Sequence, residues 1–222
     1  MSGQLDFKAT CGMITPLQAM FGEVFSNRIA LGYTVTAGLA SGSFIAYLNT
    51  AQQTFELQYG LGALFPLIFA VLAIALGTAS FVNAGLVMRY GMKRLSYTAI
   101  ISVGIWSTLF FIIAYTAGGS PPLWMFMTYL MINLFGIGIL FGNLNAQAME
   151  PLGHIAGVGA AVVGSVATLV STILGAIIGQ LYNDTVLPLV GGFAVLSALG
   201  YVVMRWVDAD TGETTDDSAR TV

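Results

Sequence analysis

Residues 57–88 read LQYGLGALFPLIFAVLAIALGTASFVNAGLVM, and none of them carries a charge. They are followed by a short basic segment, Arg89-Tyr90-Gly91-Met92-Lys93-Arg94, which contains three cationic side chains. A helix that crosses a bilayer needs about 20 predominantly apolar residues, so residues 57–88 provide one crossing and a connector. The pattern therefore predicts a transmembrane helix that ends at a basic, water-facing boundary.

Long uncharged stretches also occur on both sides of this segment. They cover 29–55, 95–149, 151–183 and 185–204. The stretch 95–149 is too long for one crossing, and its Gly-Gly-Ser-Pro-Pro sequence at 118–122 cannot continue a helix. We therefore expect two crossings there. The six predicted spans are 29–50, 64–87, 96–117, 122–142, 155–181 and 186–204.

The composition of the chain also indicates a membrane protein. Hydrophobic residues make up 57% of the sequence and charged residues only 8%, with a mean hydropathy of +0.85. Soluble domains carry about 25% charged residues, because a water-facing surface needs them. The expected fold class is therefore all-α: a membrane protein built as a bundle of six transmembrane helices.

Several classes of site are not expected from the residue counts. Cys11 is the single cysteine and His154 the single histidine, which argues against a disulfide framework and against cysteine or multi-histidine metal sites. We expect neither a metal nor another cofactor. The net charge of −3 owes much to an acidic C-terminal segment, and nothing in the pattern indicates nucleic-acid binding.

The distribution of basic residues predicts the orientation in the membrane. Six crossings put both termini on one side, and that side receives every basic residue: Lys8, Arg28, Arg89, Lys93, Arg94, Arg205 and Arg220. The opposite side receives Glu56 and Asp184. Because basic residues in short loops stay in the cytoplasm, both termini are predicted to be cytoplasmic.

The predicted spans divide the chain into three parts. Residues 1–28 form a cytoplasmic leader in which apolar residues between Met13 and Phe25 recur at helical spacing. This spacing favours an amphipathic helix on the membrane surface, with a disordered leader as the alternative. Residues 29–206 form the six-helix domain. Residues 207–222 are acidic and polar, and we expect them to form a disordered cytoplasmic tail.

Polar side chains within the predicted spans are candidates for a substrate cavity. Thr36, Ser43 and Tyr47 fall within about 80° of arc on span one, and Tyr129 precedes Asn133 by one turn on span four. Polar groups in a bilayer need protein or water partners, so these residues are predicted to line an aqueous cavity. Hydrogen bonds to neighbouring helices or to their own backbone are the alternative, and Tyr47 is also compatible with an interfacial anchor.

Span five contains many small residues. The residues predicted to form a packing face, or an interface with another six-helix half, are Gly157, Gly164, Thr168, Gly175 and Gly179. Small residues let helices approach closely where lipid offers no hydrophobic contrast. The pattern leaves open whether the neighbouring helix belongs to this chain or to a partner.

Three segments together resemble a known family. They are Ser41–Leu48 (SGSFIAYL), the basic segment Arg89–Arg94, and EPLGHIAG at 150–157. In this order they resemble the seventh to twelfth helices of major facilitator superfamily exporters, specifically Bcr/CflA-type drug:proton antiporters, over about residues 28–206. The family signature Gly-x-x-x-Asp-Arg-x-Gly-Arg-Arg is met only in part. Arg89, Gly91 and Lys93 match it, while Ala84 and Met88 replace its glycine and aspartate.

The resemblance implies half of a major facilitator fold, made of two inverted three-helix repeats. In such a half, the first and fourth helices line the cavity and the second and fifth meet the other half. The implied function is that of the C-terminal half of a multidrug efflux transporter in the bacterial inner membrane. The implied partners are the lipid bilayer, an N-terminal six-helix half or a second copy, a small amphipathic substrate, and protons taken up by the partner half. The sequence is then a fragment, a truncated reading frame or a half-transporter.

Other functions remain open from the sequence. A non-transporting remnant or an assembly subunit would show the same helices, and a six-helix channel subunit would show a polar stripe at an oligomer axis. For the basic segment Arg89–Arg94, a role in setting topology and a role in gating are both compatible with the pattern. An enzyme is not expected, because no acidic residue or histidine falls within a predicted span to act as a general base.

Overall fold

The computed structural model describes residues 22–210 and contains six long α-helices in that range. They are α1 (Arg28–Gln52), α2 (Phe65–Tyr90), α3 (Met92–Thr116), α4 (Leu123–Met149), α5 (Ala156–Gln180) and α6 (Leu187–Asp210). A π-helical turn, Gln53–Gln58, extends α1, and 3₁₀ turns at Gly62–Leu64 and Glu150–Ile155 precede α2 and α5. The predicted amphipathic leader falls mostly outside the described residues.

Five helical segments in the described range are long and apolar enough to cross a membrane. One of them, Leu123–Gln180, is 58 residues long and contains both α4 and α5. At 1.5 Å per residue it would be nearly three times longer than a bilayer core is thick, so α4 and α5 are best treated as separate crossings. The chain is a multi-pass membrane protein.

Local sequence explains where the helices begin and end. The Asn27 side chain accepts a hydrogen bond from the backbone nitrogen of Ala30 at 3.0 Å and caps the start of α1. Gly91 alone separates α2 from α3 and has φ +79°, a backbone conformation that favours glycine. Gly118 and Gly119 also have positive φ and end α3 at the predicted break.

Two helices end well past their predicted limits. α4 continues past residue 142 to Met149, and α6 continues past residue 204 to Asp210. The predicted boundary at 207 between the membrane domain and a disordered tail is therefore too early, because 207–210 are helical. The prediction ended both helices at polar residues, but Asn143, Gln147 and Asp208 in these extensions have partners on neighbouring helices. Residues 211–222 of the predicted tail lie outside the described range.

The helices pack in pairs that repeat within the bundle. α1 packs against α5, α6 and α4, while α4 packs against α2, α3 and α1, and α3 packs against α6. Exchanging α1 with α4, α2 with α5 and α3 with α6 converts the main packing pairs into one another. α1 runs from the Arg28 end to the Glu56 end and α4 runs the opposite way, so the two three-helix units are antiparallel.

Glycines hold two of these helix pairs at close range. A Cβ atom added at Gly38 of α1 would lie 2.8 Å from Val170 on α5, and one added at Gly138 of α4 would lie 2.6 Å from Ala79 on α2. Real Cβ contacts are not this short, so both positions require glycine or a local shift. Each of the two helix pairs is thus a tightly packed seam.

The two ends of the bundle carry different charges and contacts. At the end of Glu56, Gln58 donates to Gly119 O at 3.0 Å, and the Tyr59 hydroxyl donates to Pro121 O at 2.7 Å. Burial raises the pKa of Tyr59 to about 12, so this phenol remains a neutral donor at physiological pH. At the opposite end, the His154 ring lies 2.8 Å from the Glu23 carboxylate and connects the segment before α1 to the α4–α5 turn.

Candidate functional site

A buried polar cluster lies between α3 and α4. Asn133 is fully buried and accepts a hydrogen bond from the Ser107 hydroxyl at 3.0 Å, while its amide donates to Tyr129 O at 2.9 Å. Ser107 also lies 3.1 Å from the Tyr129 hydroxyl, and the Tyr129 ring stacks on Phe110 with centroids 4.4 Å apart. The structure thus brings Tyr129 and Asn133 together, against α3 instead of an open cavity.

The polar residues of α1 are also directed into the bundle. Thr36, Ser43 and Thr50 are buried. The Thr36 hydroxyl donates to Gly32 O at 2.9 Å, and the Thr50 hydroxyl donates to Ala46 O at 2.9 Å. For Thr36 this is the alternative left open by the sequence, since a threonine in a membrane helix satisfies its hydroxyl on its own backbone. In this conformation Thr36 and Ser43 do not line an open surface.

Tyr47 is the predicted cavity residue that packs among partly exposed aromatic side chains. Its side chain is 2% exposed, and its ring stacks on Phe69 of α2 with centroids 6.2 Å apart. Phe44 lies beside it and meets Phe141 of α4 edge-on at 5.7 Å. We call Phe44, Tyr47, Phe69 and Phe141 the aromatic cluster; Phe44 and Phe141 are partly exposed and Phe69 is exposed.

The Tyr47 hydroxyl is the unusual feature of the aromatic cluster. Its oxygen is buried and has no hydrogen-bond partner among the described residues. A buried hydroxyl without a partner is costly, which makes it a candidate donor to a ligand or water. The aromatic cluster joins α1, α2 and α4, so its geometry depends on three helices.

The predicted packing face of α5 divides into two groups. Gly175 and Gly179 pack against α1: a Cβ at Gly175 would contact Ile45, and one at Gly179 would lie 3.1 Å from Asn49. Their neighbour is therefore within this chain, which is one of the two possibilities that the sequence left open. At Gly157 and Gly164 an added Cβ would meet nothing within 4 Å.

A shallow groove lies along the outward side of α5. Gly157, Gly164 and Thr168 lie on this exposed side of the helix, and the groove has a volume of about 600 Å³. It is lined by Ala160, Ala161, Gly164, Ser165, Thr168, Leu169 and Thr172.

On α2, large apolar side chains are exposed every seven residues, and at the far end of this row Phe81 is 87% and Met88 is 89% exposed. The row comprises Leu67, Ile74, Phe81 and Met88. Both α2 and α5 thus present broad apolar faces to their surroundings.

The basic segment contacts the end of α6. Lys93 lies 3.1 Å from the Asp208 carboxylate, which also accepts hydrogen bonds from Tyr97 at 2.7 Å and Tyr33 at 3.2 Å. Asp208 was assigned to the disordered tail on the basis of the sequence, and this is wrong: it joins α1, α3 and α6. Arg28 donates to Trp206 O and stacks on the Trp206 ring at 4.0 Å.

The other predicted residues of the basic segment have distinct surroundings. Arg89 lies over the Tyr90 ring at 5.3 Å, Gly91 forms the turn, and Arg94 is exposed. These contacts are compatible with a role in topology and with a structural connection to α6.

Two polar contacts between helices were not predicted. Asn83 on α2 and Asn143 on α4 exchange amide hydrogen bonds at 3.0 and 2.8 Å, and Gln147 on α4 donates to Ser96 on α3 at 2.8 Å. Asn83 lies inside the predicted span 64–87 and Asn143 just after the predicted span 122–142, so nothing in the sequence indicates that they meet. Their pairing depends on the register between helices.

In residues 22–210 there is no group of three or more histidine, cysteine, aspartate or glutamate side chains able to hold a metal ion. What the fold and these contacts define is a polytopic helical bundle with polar clusters inside and two apolar outer faces.

Comparison with known proteins relates this bundle to major facilitator transporters. The chain is 24% identical over 183 residues to the uncharacterized MFS-type transporter YdgK of Bacillus subtilis (strain 168), a match that covers 80% of this chain and 43% of that protein. It is 22% identical over 197 residues to the bicyclomycin resistance protein homolog of Haemophilus influenzae, a match that covers 80% of this chain and 45% of that protein.

These relatives are distant and are transporters, not enzymes. The chain spans about half the length of the curated relatives it matches. No family model matches the sequence, and no solved structure matches it.

Proposed function

We propose that this chain acts as the C-terminal half of a major facilitator exporter for small amphipathic compounds in the bacterial cytoplasmic membrane. The observation that carries the proposal is the repeated packing of the helices. Two antiparallel three-helix units with interchangeable packing pairs are what two inverted repeats of a transporter half would produce. The half-length match to transporters supports the same conclusion.

The outer faces of α2 and α5 support a partner half. α2 exposes the row of large apolar side chains, and α5 exposes small residues around Gly164. A small-residue groove allows another helix to approach closely, and large side chains opposite it would fill the remaining space. An N-terminal six-helix half, or a second copy of this chain, would cover these faces.

The aromatic cluster supports a substrate class. Aromatic faces bind planar rings by stacking and bind organic cations through the ring quadrupole. With the Tyr47 hydroxyl as a hydrogen-bond donor, the cluster is suited to aromatic, neutral or singly cationic amphipathic molecules. Proton coupling would then depend on carboxylates in the partner half.

The alternatives predict other arrangements. A channel subunit needs polar residues at an oligomer axis, whereas Thr36, Ser43 and Thr50 are buried within this bundle. A non-transporting assembly subunit would use the same outer faces, so transport itself must be measured.

The test is efflux of a fluorescent organic cation from bacteria that lack their own exporters. Cells would express this chain alone, the N-terminal half of a related transporter alone, or both. We expect efflux only from the pair, and loss of efflux when a protonophore removes the proton gradient. Equal efflux from this chain alone would show that no partner half is needed, and no efflux from any combination would contradict export.

The role of Tyr47 is tested in the same pair. Tyr47→Phe keeps the stacked ring and removes the hydroxyl, so we expect efflux of hydrogen-bonding substrates to fall by roughly five- to tenfold, the value of about one hydrogen bond. Tyr115→Phe, at an exposed position on α3, is the matched control and should leave efflux unchanged. Equal efflux by wild type and Tyr47→Phe for every substrate would assign Tyr47 to packing alone.

A further inference from the structure

A second groove lies on the opposite side of the bundle from the α2 and α5 faces, between α3 and α6. It has a volume of about 280 Å³ and is lined by Ile101, Gly104, Ile105, Ser197, Ala198 and Tyr201. Gly104 keeps it open at the point of closest approach, since a Cβ there would lie 3.1 Å from the Ser197 hydroxyl. Small-molecule pockets usually have volumes of about 300–1,000 Å³, so this shallow apolar groove is better suited to part of an extended chain.

Each helix places an arginine two turns from the groove on the same face. Arg94 is seven residues before Ile101 on α3, and Arg205 is seven residues after Ala198 on α6. Seven residues make about two helical turns, or about 10 Å along the axis. Both arginines are exposed.

The antiparallel register of α3 and α6 brings the two arginines to the same level. Lys93 pairs with Asp208, and the Tyr97 ring meets the Tyr201 ring edge-on at 6.0 Å. Arg94 and Arg205 each lie between these two contacts along their helices. They therefore flank the same end of the groove, at the basic end of the bundle.

The other groups at this end leave the site positively charged. Among the described side chains at this end of α3 and α6, Asp208 is the acidic one, and it already binds Lys93 and the Tyr33 and Tyr97 hydroxyls. Trp206, half exposed beside Arg205, has the position of an aromatic residue at a membrane–water interface. A lipid whose anionic group reaches Arg94 and Arg205 thus meets cationic side chains at the basic end of the bundle and the apolar groove nearer the middle of the helices.

We propose that the α3–α6 groove is a binding site for an anionic phospholipid of the leaflet at the basic end of the bundle. Arg94 and Arg205 bind the phosphate, and one acyl chain lies along Gly104 between Ile101 and Ala198. Basic pockets between helices bind anionic head groups through charge, and the groove adds recognition of the chain. The distance of about two helical turns between arginines and groove matches the separation of a lipid phosphate from its acyl chains.

The test is native mass spectrometry of the purified full-length chain in detergent with added phosphatidylglycerol or phosphatidylcholine of identical acyl chains. We expect the wild type to retain phosphatidylglycerol. In the double variant Arg94→Gln/Arg205→Gln the affinity for this lipid should fall by roughly thirtyfold, because each arginine contributes about 1 kcal/mol of attraction. Arg89→Gln removes an exposed cation from the same end on α2 and is the matched control. A decrease with Arg89→Gln equal to that of the double variant would show attraction by general charge and overturn the site.

A second variant tests the groove without changing charge. Ala198 is exposed, so Ala198→Trp fills the groove without entering the core, and we expect it to weaken phosphatidylglycerol retention. Unchanged retention by Ala198→Trp would contradict seating of the acyl chain. Arg94→Gln alone changes an exposed side chain and keeps the test valid if the double variant does not fold; it should lower affinity by roughly fivefold, and wild-type affinity would overturn the proposal.

Discussion

At the level of single residues, Asn133 shows how a membrane helix accommodates an amide. Its carbonyl oxygen accepts from Ser107 and its nitrogen donates to Tyr129 O, so both ends of the side chain are satisfied between α3 and α4. In lipid an unsatisfied amide would be unfavourable, and the partners are what allow the residue to be buried. The same contacts align α3 and α4 at this level.

Replacing Asn133 should therefore destabilise the bundle. Asn133→Leu keeps the approximate side-chain volume but leaves Ser107 with one partner fewer, and we expect a loss of about 1 kcal/mol in the free energy of unfolding. Reversible unfolding in mixed micelles measures it. Asn145→Leu is the control on the same helix, because Asn145 is exposed and bonds to Phe141 O. Equal stability of Asn133→Leu and wild type would contradict a stabilising role for the cluster.

Single residues also mark where sequence-based prediction reaches its limit. The presence of polar residues such as Thr36 and Asn133 within apolar spans was visible, but the direction they face depends on how the helices rotate against each other. Asp208 is predicted to lie in a tail because, in a single sequence, a charged residue after an apolar span indicates the end of the helix. Its partners Tyr33 and Lys93 are distant in sequence, so only the packed bundle reveals the contact.

At the level of elements, α5 has two faces with different surroundings. Gly175 and Gly179 face α1, while Gly157 and Gly164 face outward. The three- and four-residue spacing of small residues predicts a packing helix, and Gly175 and Gly179 lie against α1. The spacing could not separate the two faces, because small residues occur on every side of this helix and so do not indicate which side faces a neighbour.

Bulky substitutions should separate the two faces. In Gly175→Leu the first added atom already contacts Ile45, and lies 3.1 Å from Ala46 N, so we expect a loss of about 1–3 kcal/mol in the free energy of unfolding. Gly164→Leu adds bulk where nothing lies within 4 Å, so it should leave the stability of the isolated chain unchanged and weaken association with a partner half. Thermal unfolding and co-purification of the two halves measure these effects. Destabilisation of the isolated chain by Gly164→Leu would contradict the assignment.

The amide pair between α2 and α4 permits a double-mutant cycle. Asn83→Leu and Asn143→Leu each remove both hydrogen bonds, so the double variant should be little less stable than either single variant. We expect a coupling energy of about 1 kcal/mol, within the range measured for hydrogen bonds between membrane helices. Additive losses would show that the two amides are stabilised independently by other groups.

At the level of the whole molecule, the charges divide between the two ends of the bundle. Within residues 22–210, the basic residues Arg28, Lys93 and Arg205 lie at one end together with Asp208, and Glu56 lies at the other. The side of the membrane that each end faces stays a prediction. The breaks between α2, α3 and α4 were predictable, because the basic segment around Gly91 separates two uncharged runs and the glycines at 118 and 119 interrupt another. The packing pairs were not derivable from hydropathy, since every span is apolar on most of its surface.

Cysteine labelling tests the orientation in cells. Cys11 is the only cysteine in the sequence, so a Cys11→Ser background allows single reporters at Ala63→Cys and Gly153→Cys, both exposed at opposite ends. A membrane-impermeant maleimide should label Ala63→Cys in intact cells and Gly153→Cys only after permeabilisation. The reverse pattern would place the basic segment outside the cell.

The glycine seams described above have a mechanical consequence. Where Gly38 and Gly138 hold their helices almost backbone to backbone, sliding or tilting one helix would drive side chains into the opposing main chain. Deformation inside either helix pair is therefore stiff, and motion is directed to surfaces that lack such interlocking. Any bending of this molecule would therefore carry α1 together with α5, and α2 together with α4, as two stiff pairs.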